Sequence, residues 1–362
     1  MTKKLFSVMS ILVLITMLFT ACAAPTAAPA APATSAPAAP AATAVPAATS
    51  APAAPAALTA DQITLAGIVF QDDQFMQTLT KGYTDAAAKY GVKILTANTN
   101  NDQAKEAELI QTYMSQGVNG IAIAPLSKDA SIANLKQAAD KGIKVAITNM
   151  SITDSSFLVG GFTSDDATNA KIVGDNAAKF IQATFKGSVN VARIDFDDQL
   201  PEQSKARWDG FYAGLKAAGV TYTEVAHQSA HAQDTALAAT TDMLTAHPEI
   251  QVIWACNEGG TIGAAQAVKQ AGLAGKVFVF GYDGSDQLTS MILSPDNILQ
   301  GSVAQDPYNM GYKAVEALVN VLEGKTVPDM GKITVVNGTY LGRSDPAAVN
   351  AWRVANGLPE VK

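Results

Sequence analysis

Acidic and amide side chains recur in this sequence at one kind of place, directly after a short apolar run. Gln71-Asp72-Asp73-Gln74-Phe75 follows the run that ends at Phe70, and Asn149 closes another. Asn257-Glu258 follows Ala255-Cys256, Asp283-Gly284 follows Gly281-Tyr282, and Gln305-Asp306 follows Ser302-Val303-Ala304. A carboxylate accepts two hydroxyl hydrogen bonds, while an amide accepts and donates at once, so such a set can saturate a neutral polyol. Phe75 adds an aromatic face for the C–H side of a sugar ring. Taken singly, each has a plainer meaning: Asp283-Gly284 is the signature of an Asx turn, and Phe75 could simply cap a core. The recurrence is what points to a binding cleft.

Other candidate chemistry is thin. His227, His231 and His247 lack metal-ligand spacing, and His247-Pro248 marks a helix end. Cys256 sits beside an apolar run and reads as a buried, inert thiol. Asp195, Asp197 and Asp198 read as a solvated acidic loop. A glycosidase could use Asp73 and Asp283 as paired carboxylates, but no nucleophile motif such as G-x-S-x-G and no phosphate loop occurs. No enzyme activity, cofactor or metal is therefore expected.

The runs that present these residues alternate with helical patterns. Strands are expected at 63–70, 93–97, 120–124 and 145–149, with helices at 76–90, 104–116 and 131–141. The rhythm restarts with strands at 188–194, 252–255 and 277–281 and helices at 204–218, 235–246 and 263–271. A βαβα alternation implies a parallel sheet covered on both faces. Two such series imply an α/β fold of two Rossmann-like lobes with parallel sheets. In open α/β sheets ligands bind beyond the carboxyl ends of the strands, which is where the polar residues cluster.

The remainder of the chain bears on location. Its 362 residues carry a net charge of −7, with no basic run beyond the first few residues, which disfavours a nucleic-acid partner. Lys3 and Lys4 precede an apolar stretch over 5–19 that ends in Thr20-Ala21-Cys22, the layout of a secretory signal. That stretch is shorter than the roughly 20 residues a bilayer span needs. Residues 23–57 are almost wholly Ala, Pro, Thr and Ser, a composition that forms no core and suits an extended tether.

Thr20-Ala21-Cys22 resembles the lipobox of bacterial lipoproteins, with Phe19 where an aliphatic residue is usual; the resemblance implies lipidation at Cys22. From Gln62 to Gly342 the chain resembles the type I periplasmic sugar-binding family, which includes the ribose and the galactose/glucose binders. Asp72-Asp73-Gln74-Phe75-Met76 is similar to the hexose form of that family's first loop. Asn149 stands where the family carries an Asp or Asn, and Asn257, Asp283 and Gln305 match three further ligand positions. Lys205-Ala206-Arg207-Trp208 matches the region whose basic residue reaches the sugar, leaving open whether Lys205 or Arg207 does so. His231 stands where the family usually has a ring-stacking Trp or Phe, and Met150 replaces a common basic residue. The family's calcium loop has no counterpart around 186–190.

The resemblance implies a monomeric, lipid-anchored extracytoplasmic protein that takes up a monosaccharide by cleft closure. An aldohexose such as glucose or galactose is favoured, with pentoses such as xylose or ribose open. Its partners would be an ABC permease and its ATPase; a sugar-sensing receptor subunit is the alternative. The expected parts are a signal peptide (1–22), a tether (23–60), a first lobe (61–164 with 306–336) and a second lobe (165–305 with 337–362). The three hinge crossings are expected near 163–166, 305–306 and 337–340.

Overall fold

The computed structural model describes residues 57–328 and 330–361; Cys22, the leader and nearly all of the tether lie outside the described residues. β1 (Thr64–Val69) is buried from its second residue onward, as befits a strand inside a parallel sheet with helices on both faces. There follow α1 (Gln74–Tyr90), β2 (Lys93–Asn98), α2 (Gln103–Gln116), β3 (Gly120–Ile123), α3 (Ile132–Asp140), β4 (Lys144–Asn149) and β5 (Gly160–Thr163). Gly91 and Gly117 end α1 and α2 at φ 67° and 72°, left-handed positions that favour glycine.

The chain then enters a second sheet. It continues as α4 (Asp166–Phe185), β6 (Ser188–Asp195), α5 (Pro201–Ala217), β7 (Thr221–Ser229), α6 (Gln233–Ala246) and β8 (Val252–Ala255). α7 (Glu258–Gln270), β9 (Phe278–Tyr282), α8 (Asp286–Leu293) and β10 (Leu299–Ala304) complete this series. α9 (Pro307–Leu322) and β11 (Ile333–Val335) return to the first sheet, and β12 (Thr339–Gly342) and α10 (Pro346–Ala355) end in the second.

The strand orders are β11-β5-β4-β3-β1-β2 and β12-β10-β9-β8-β6-β7. Every described pairing is parallel except that of β12 with β10. The two orders are the same once β1–β5 are matched to β6–β10. In each sheet the order reverses between its first and third strands, the switch point where open sheets leave a crevice. This is the expected α/β architecture of two sheets. The chain passes between them three times, after β5, after β10 and between β11 and β12.

Several elements carry too weak a pattern to be named from sequence. β5 is only Gly-Gly-Phe-Thr, and β7 is an edge strand without a buried face. α7 begins at Glu258, five residues before the expected start, because Gly259 and Gly260 hide its first turn. A Cβ at Gly259 would lie 2.3 Å from the carbonyl oxygen of His231, so close packing selects the glycine there.

Backbone contact also seats α9 on α1. A Cβ at Gly82 would come within 2.2 Å of the Tyr308 carbonyl oxygen, and one at Gly311 within 2.2 Å of the Leu79 carbonyl oxygen. The two helices interlock glycine against backbone, and around them Tyr83, Met310, Ala314 and Leu318 are fully buried. Neither clash can be relieved by rotating a side chain, so overpacking should outweigh the helix propensity that alanine adds. Gly82→Ala is expected to destabilise the protein by about 2 kcal/mol. Thermal melting would register this as a lower midpoint; an unchanged or higher midpoint would contradict so close a crossing.

Candidate functional site

The carboxyl ends of both sheets converge on one cavity of about 30 Å³, room for about two waters. From the first lobe it is lined by Phe70, Gln71, Asp73, Phe75, Met76 and Asn149. From the second come Phe196, Gln199, Leu200, Gln203 and Arg207, together with Asn257, Asp283 and Gln305. The lobes also touch directly. The Gln199 amide donates to Gln71 Oε1 at 2.6 Å and to Asn101 Oδ1 at 2.5 Å, and Lys128 lies 3.5 Å from Glu202.

Local backbone structure fixes the lining side chains. Asp73 is the N-cap of α1, its Oδ1 accepting the Met76 N–H at 2.8 Å. Asn257 caps α7, accepting from the Gly260 N–H at 3.1 Å and donating its amide to the His231 carbonyl at 2.8 Å. Asn149 closes β4 and Asp283 directly follows the corresponding β9, and both adopt the left-handed region at φ 66° and 77°. Asx residues enter that region more readily than most.

Asp283 is the hub of the second lobe's wall. Its carboxylate accepts the Glu258 N–H at 2.9 Å and the Gln305 amide at 2.5 Å, and the Ser302 hydroxyl donates to its carbonyl oxygen. The Gln305 Oε1 is buried without a donor. Arg207 is 4% exposed. Its Nε donates to Asp166 at 2.8 Å and its Nη1 to the Cys256 carbonyl at 2.9 Å, with its guanidinium 3.8 Å from the centre of the Tyr282 ring. Asp166 also accepts from Gln203 at 3.2 Å and from the Tyr282 hydroxyl at 3.2 Å.

Burial raises the pKa of Asp73, opposed by the Met76 N–H, Gln71 and Arg207. It raises Asp283 likewise, with Arg207 opposing and Asp73 reinforcing. Glu258, at the first turn of α7, is pushed up to about 7, chiefly by burial and further by Asp283 and Asp73. Burial also pushes the Cys256 thiol well above its ordinary range.

Of the residues singled out from sequence, Asp73, Phe75, Asn149, Arg207, Asn257, Asp283 and Gln305 line this cavity. Asp72, Lys205 and His231 do not. Asp72 is exposed and accepts from Gln77 at 3.0 Å. Lys205 projects to solvent beside Asp209 at 2.6 Å, because two residues along a helix is about 200° of rotation and only one of Lys205 and Arg207 can face inward. His231 lines a neighbouring cavity of about 390 Å³ with Asp72 and Glu258; towards Asn257 it offers its backbone carbonyl, not its ring. Asp195 departs from the solvated-loop expectation as well: it is buried, 2.7 Å from Arg193. Gln71, Gln199, Gln203 and Glu258 were not assigned to the site from sequence, although Gln71 and Glu258 lie in the quoted strand-end loops.

A family model described as periplasmic binding protein domain matches residues 65–326. The chain belongs to this family. Among curated relatives, the ribose import binding protein of Bacillus subtilis is 28% identical over 71% of this chain and 80% of its own length. The D-allose-binding periplasmic protein of Escherichia coli is 27% identical over 70% and 83%. Among solved structures, a carbohydrate transporter solute binding protein from Agrobacterium radiobacter in complex with D-arabinose has a TM-score of 0.71 at 24% identity, covering 80% of this chain and 98% of that one. That likeness concerns the fold.

The state of Glu258 gives the protein a pH dependence of definite sign. Its carboxyl titrates near 4.5 when unfolded and is pushed up to about 7 in the fold, so between these values the folded protein holds a proton that the unfolded chain releases. Stability must therefore rise as pH falls through that window, by about 3 kcal/mol if the whole shift is expressed. Glu258→Gln should raise the melting temperature near pH 8 and flatten its rise on acidification. Melts of both proteins across that range check this; parallel profiles would remove Glu258 as the source.

Proposed function

We propose that the protein captures a monosaccharide between its two lobes and presents it to an ABC-type importer, as a binding component without turnover. The observation that carries this reading is the convergence of Asp73, Asn149, Asn257, Asp283, Gln305 and Arg207 from both sheets onto one cavity that also holds Phe75 and Phe196. Burying a polyol is tolerable only when nearly all its hydroxyls are hydrogen-bonded, and acceptors and amides from two sides meet that demand. The aromatic rings supply surface for the apolar side of a sugar.

A cavity of about 30 Å³ is too small for a sugar ring, so uptake requires the lobes to part and close again. The three chain crossings serve as the hinge, dividing the chain into a first lobe of 61–164 with 306–336 and a second of 165–305 with 337–362. Closure creates a surface built from both lobes, which a permease recognises as the loaded state. Relatives named for ribose and D-allose support a pentose or aldohexose of this size; glucose, galactose and xylose belong in the same panel. A leader ending at Cys22 and an Ala/Pro tether suit an extracytoplasmic monomer held at the membrane by a lipid anchor. Among the described residues no helix is long and apolar enough to cross a membrane.

Titration calorimetry with a panel of pentoses, hexoses and cyclitols tests the reading. At least one should bind with a Kd of about micromolar. Asp283→Ala, which frees both the Gln305 amide and the Glu258 N–H inside the cleft, should weaken it by about 100-fold or more. Lys205→Ala should bind like the parent protein. No heat from any polyol would refute sugar capture.

A further inference from the structure

We propose that the preferred ligand is a ring polyol bearing one protonated amine, an amino sugar or aminocyclitol, in place of a wholly neutral sugar. This refines the sugar-capture reading above and rests on it.

The argument begins with a charge imbalance. Among the described residues Arg207 is the one cationic side chain that lines the cavity, and it is already committed. Asp166 matches its charge at 2.8 Å, while the Asp283 carboxylate lies farther away, at 3.9 Å from Nη1. Three lysines of the surrounding elements are engaged elsewhere, Lys81 with Asp85, Lys128 with Glu202 and Lys205 with Asp209. Asp73 from the first lobe and Asp283 from the second therefore face the same cavity with one guanidinium, shared with Asp166, as their nearest cation and with neutral groups as their direct hydrogen-bond donors. Those donors are the Met76 N–H and Gln71 amide for Asp73, and the Glu258 N–H and Gln305 amide for Asp283.

An independent observation concerns hydrogen bonding. Gln305 is 94% buried (6% exposed) and lines the cavity; its amide nitrogen is spent on Asp283, and its Oε1 has no donor. The wall thus presents an excess of acceptors as well as of negative charge. A hydroxyl supplies one proton and brings lone pairs of its own. An ammonium supplies three protons, no lone pair and the missing positive charge. Uncompensated buried carboxylates are costly, and a ligand cation placed between them offsets that cost in a way no neutral sugar can. The same imbalance disfavours sugar acids and sugar phosphates.

Calorimetry on the full chain near pH 6.5 with matched pairs tests this: glucosamine against glucose, galactosamine against galactose, and an inosamine against inositol. N-acetylglucosamine serves as the probe in which the nitrogen remains but the charge is gone. At least one amine should bind about tenfold or more tighter than its hydroxyl partner, and acetylation should remove that advantage. Asp73→Asn keeps the helix cap, since Asn caps as well as Asp, and should reduce the amine-to-hydroxyl preference about tenfold or more. Neutral partners binding as tightly as the amines in every pair, or an unchanged preference in Asp73→Asn, would overturn the inference and leave sugar capture standing. Binding by no member of the panel would overturn both.

Discussion

A guanidinium withdrawn almost completely from water must find its counter-charge and its hydrogen-bond acceptors inside the protein, and the second lobe is assembled around that demand at Arg207. α5 supplies the side chain, and the first turn of α4 supplies Asp166. The end of β8 supplies a carbonyl oxygen and the end of β9 the Tyr282 ring. Four separate elements thus meet at one charge. Asp166 follows the first crossing between the sheets, so the ion pair also holds the start of the second lobe in register with its own strand ends. With Arg207 seated in this way, the cleft wall has a fixed cation around which Asp283, Asn257 and Gln305 are disposed.

Among the described residues the first lobe has no such buried guanidinium at the cleft and relies on backbone geometry. Asp73 cannot swing freely, because it caps α1, and Asn149 is set by a left-handed turn at the end of β4. Asn257 and Asp283 repeat these two devices across the cleft. Groups held by the backbone lose little freedom when a ligand arrives, so the cleft is organised before it is occupied. The lining of the cleft and the helix and strand termini are made from the same atoms.

This economy explains which parts of the site were legible in the sequence. A parallel sheet places the carboxyl ends of its strands along one edge, so polar residues after apolar runs led directly to Asp73, Asn149, Asn257, Asp283 and Gln305. The same rule said nothing about rotation around a helix, and Lys205 and Arg207 could be separated only once α5 was packed. It also treats every residue as a side chain, whereas His231 contacts Asn257 through its backbone carbonyl. Gln199 follows β6 in a loop whose neighbouring aspartates suggested solvent, and Gln203 lies in the first turn of α5 just beyond it, yet Asp195 is buried against Arg193 and the loop leans across the cleft. The weakly patterned elements, β5, β7 and the first turn of α7, needed tertiary contact to declare themselves. In α7 the glycines that obscured the helix are the residues its packing requires.

The glycine-to-backbone crossing of α1 and α9 bears on how the molecule is put together. The Tyr308 hydroxyl and the Asp85 carboxylate that meet beside this crossing are 223 residues apart along the chain. Every element from β2 to β10 intervenes. A chain emerging from its N-terminus therefore makes most of the first lobe early but cannot close that lobe's helical layer until α9 arrives, after nearly all of the second lobe. Closing so long a loop is slow more than it is costly. The second lobe has the opposite order: α4 through β10 form one unbroken stretch, lacking only β12 and α10. Assembly thus has a built-in direction, with the later half of the sequence able to consolidate first and the earlier half completed last.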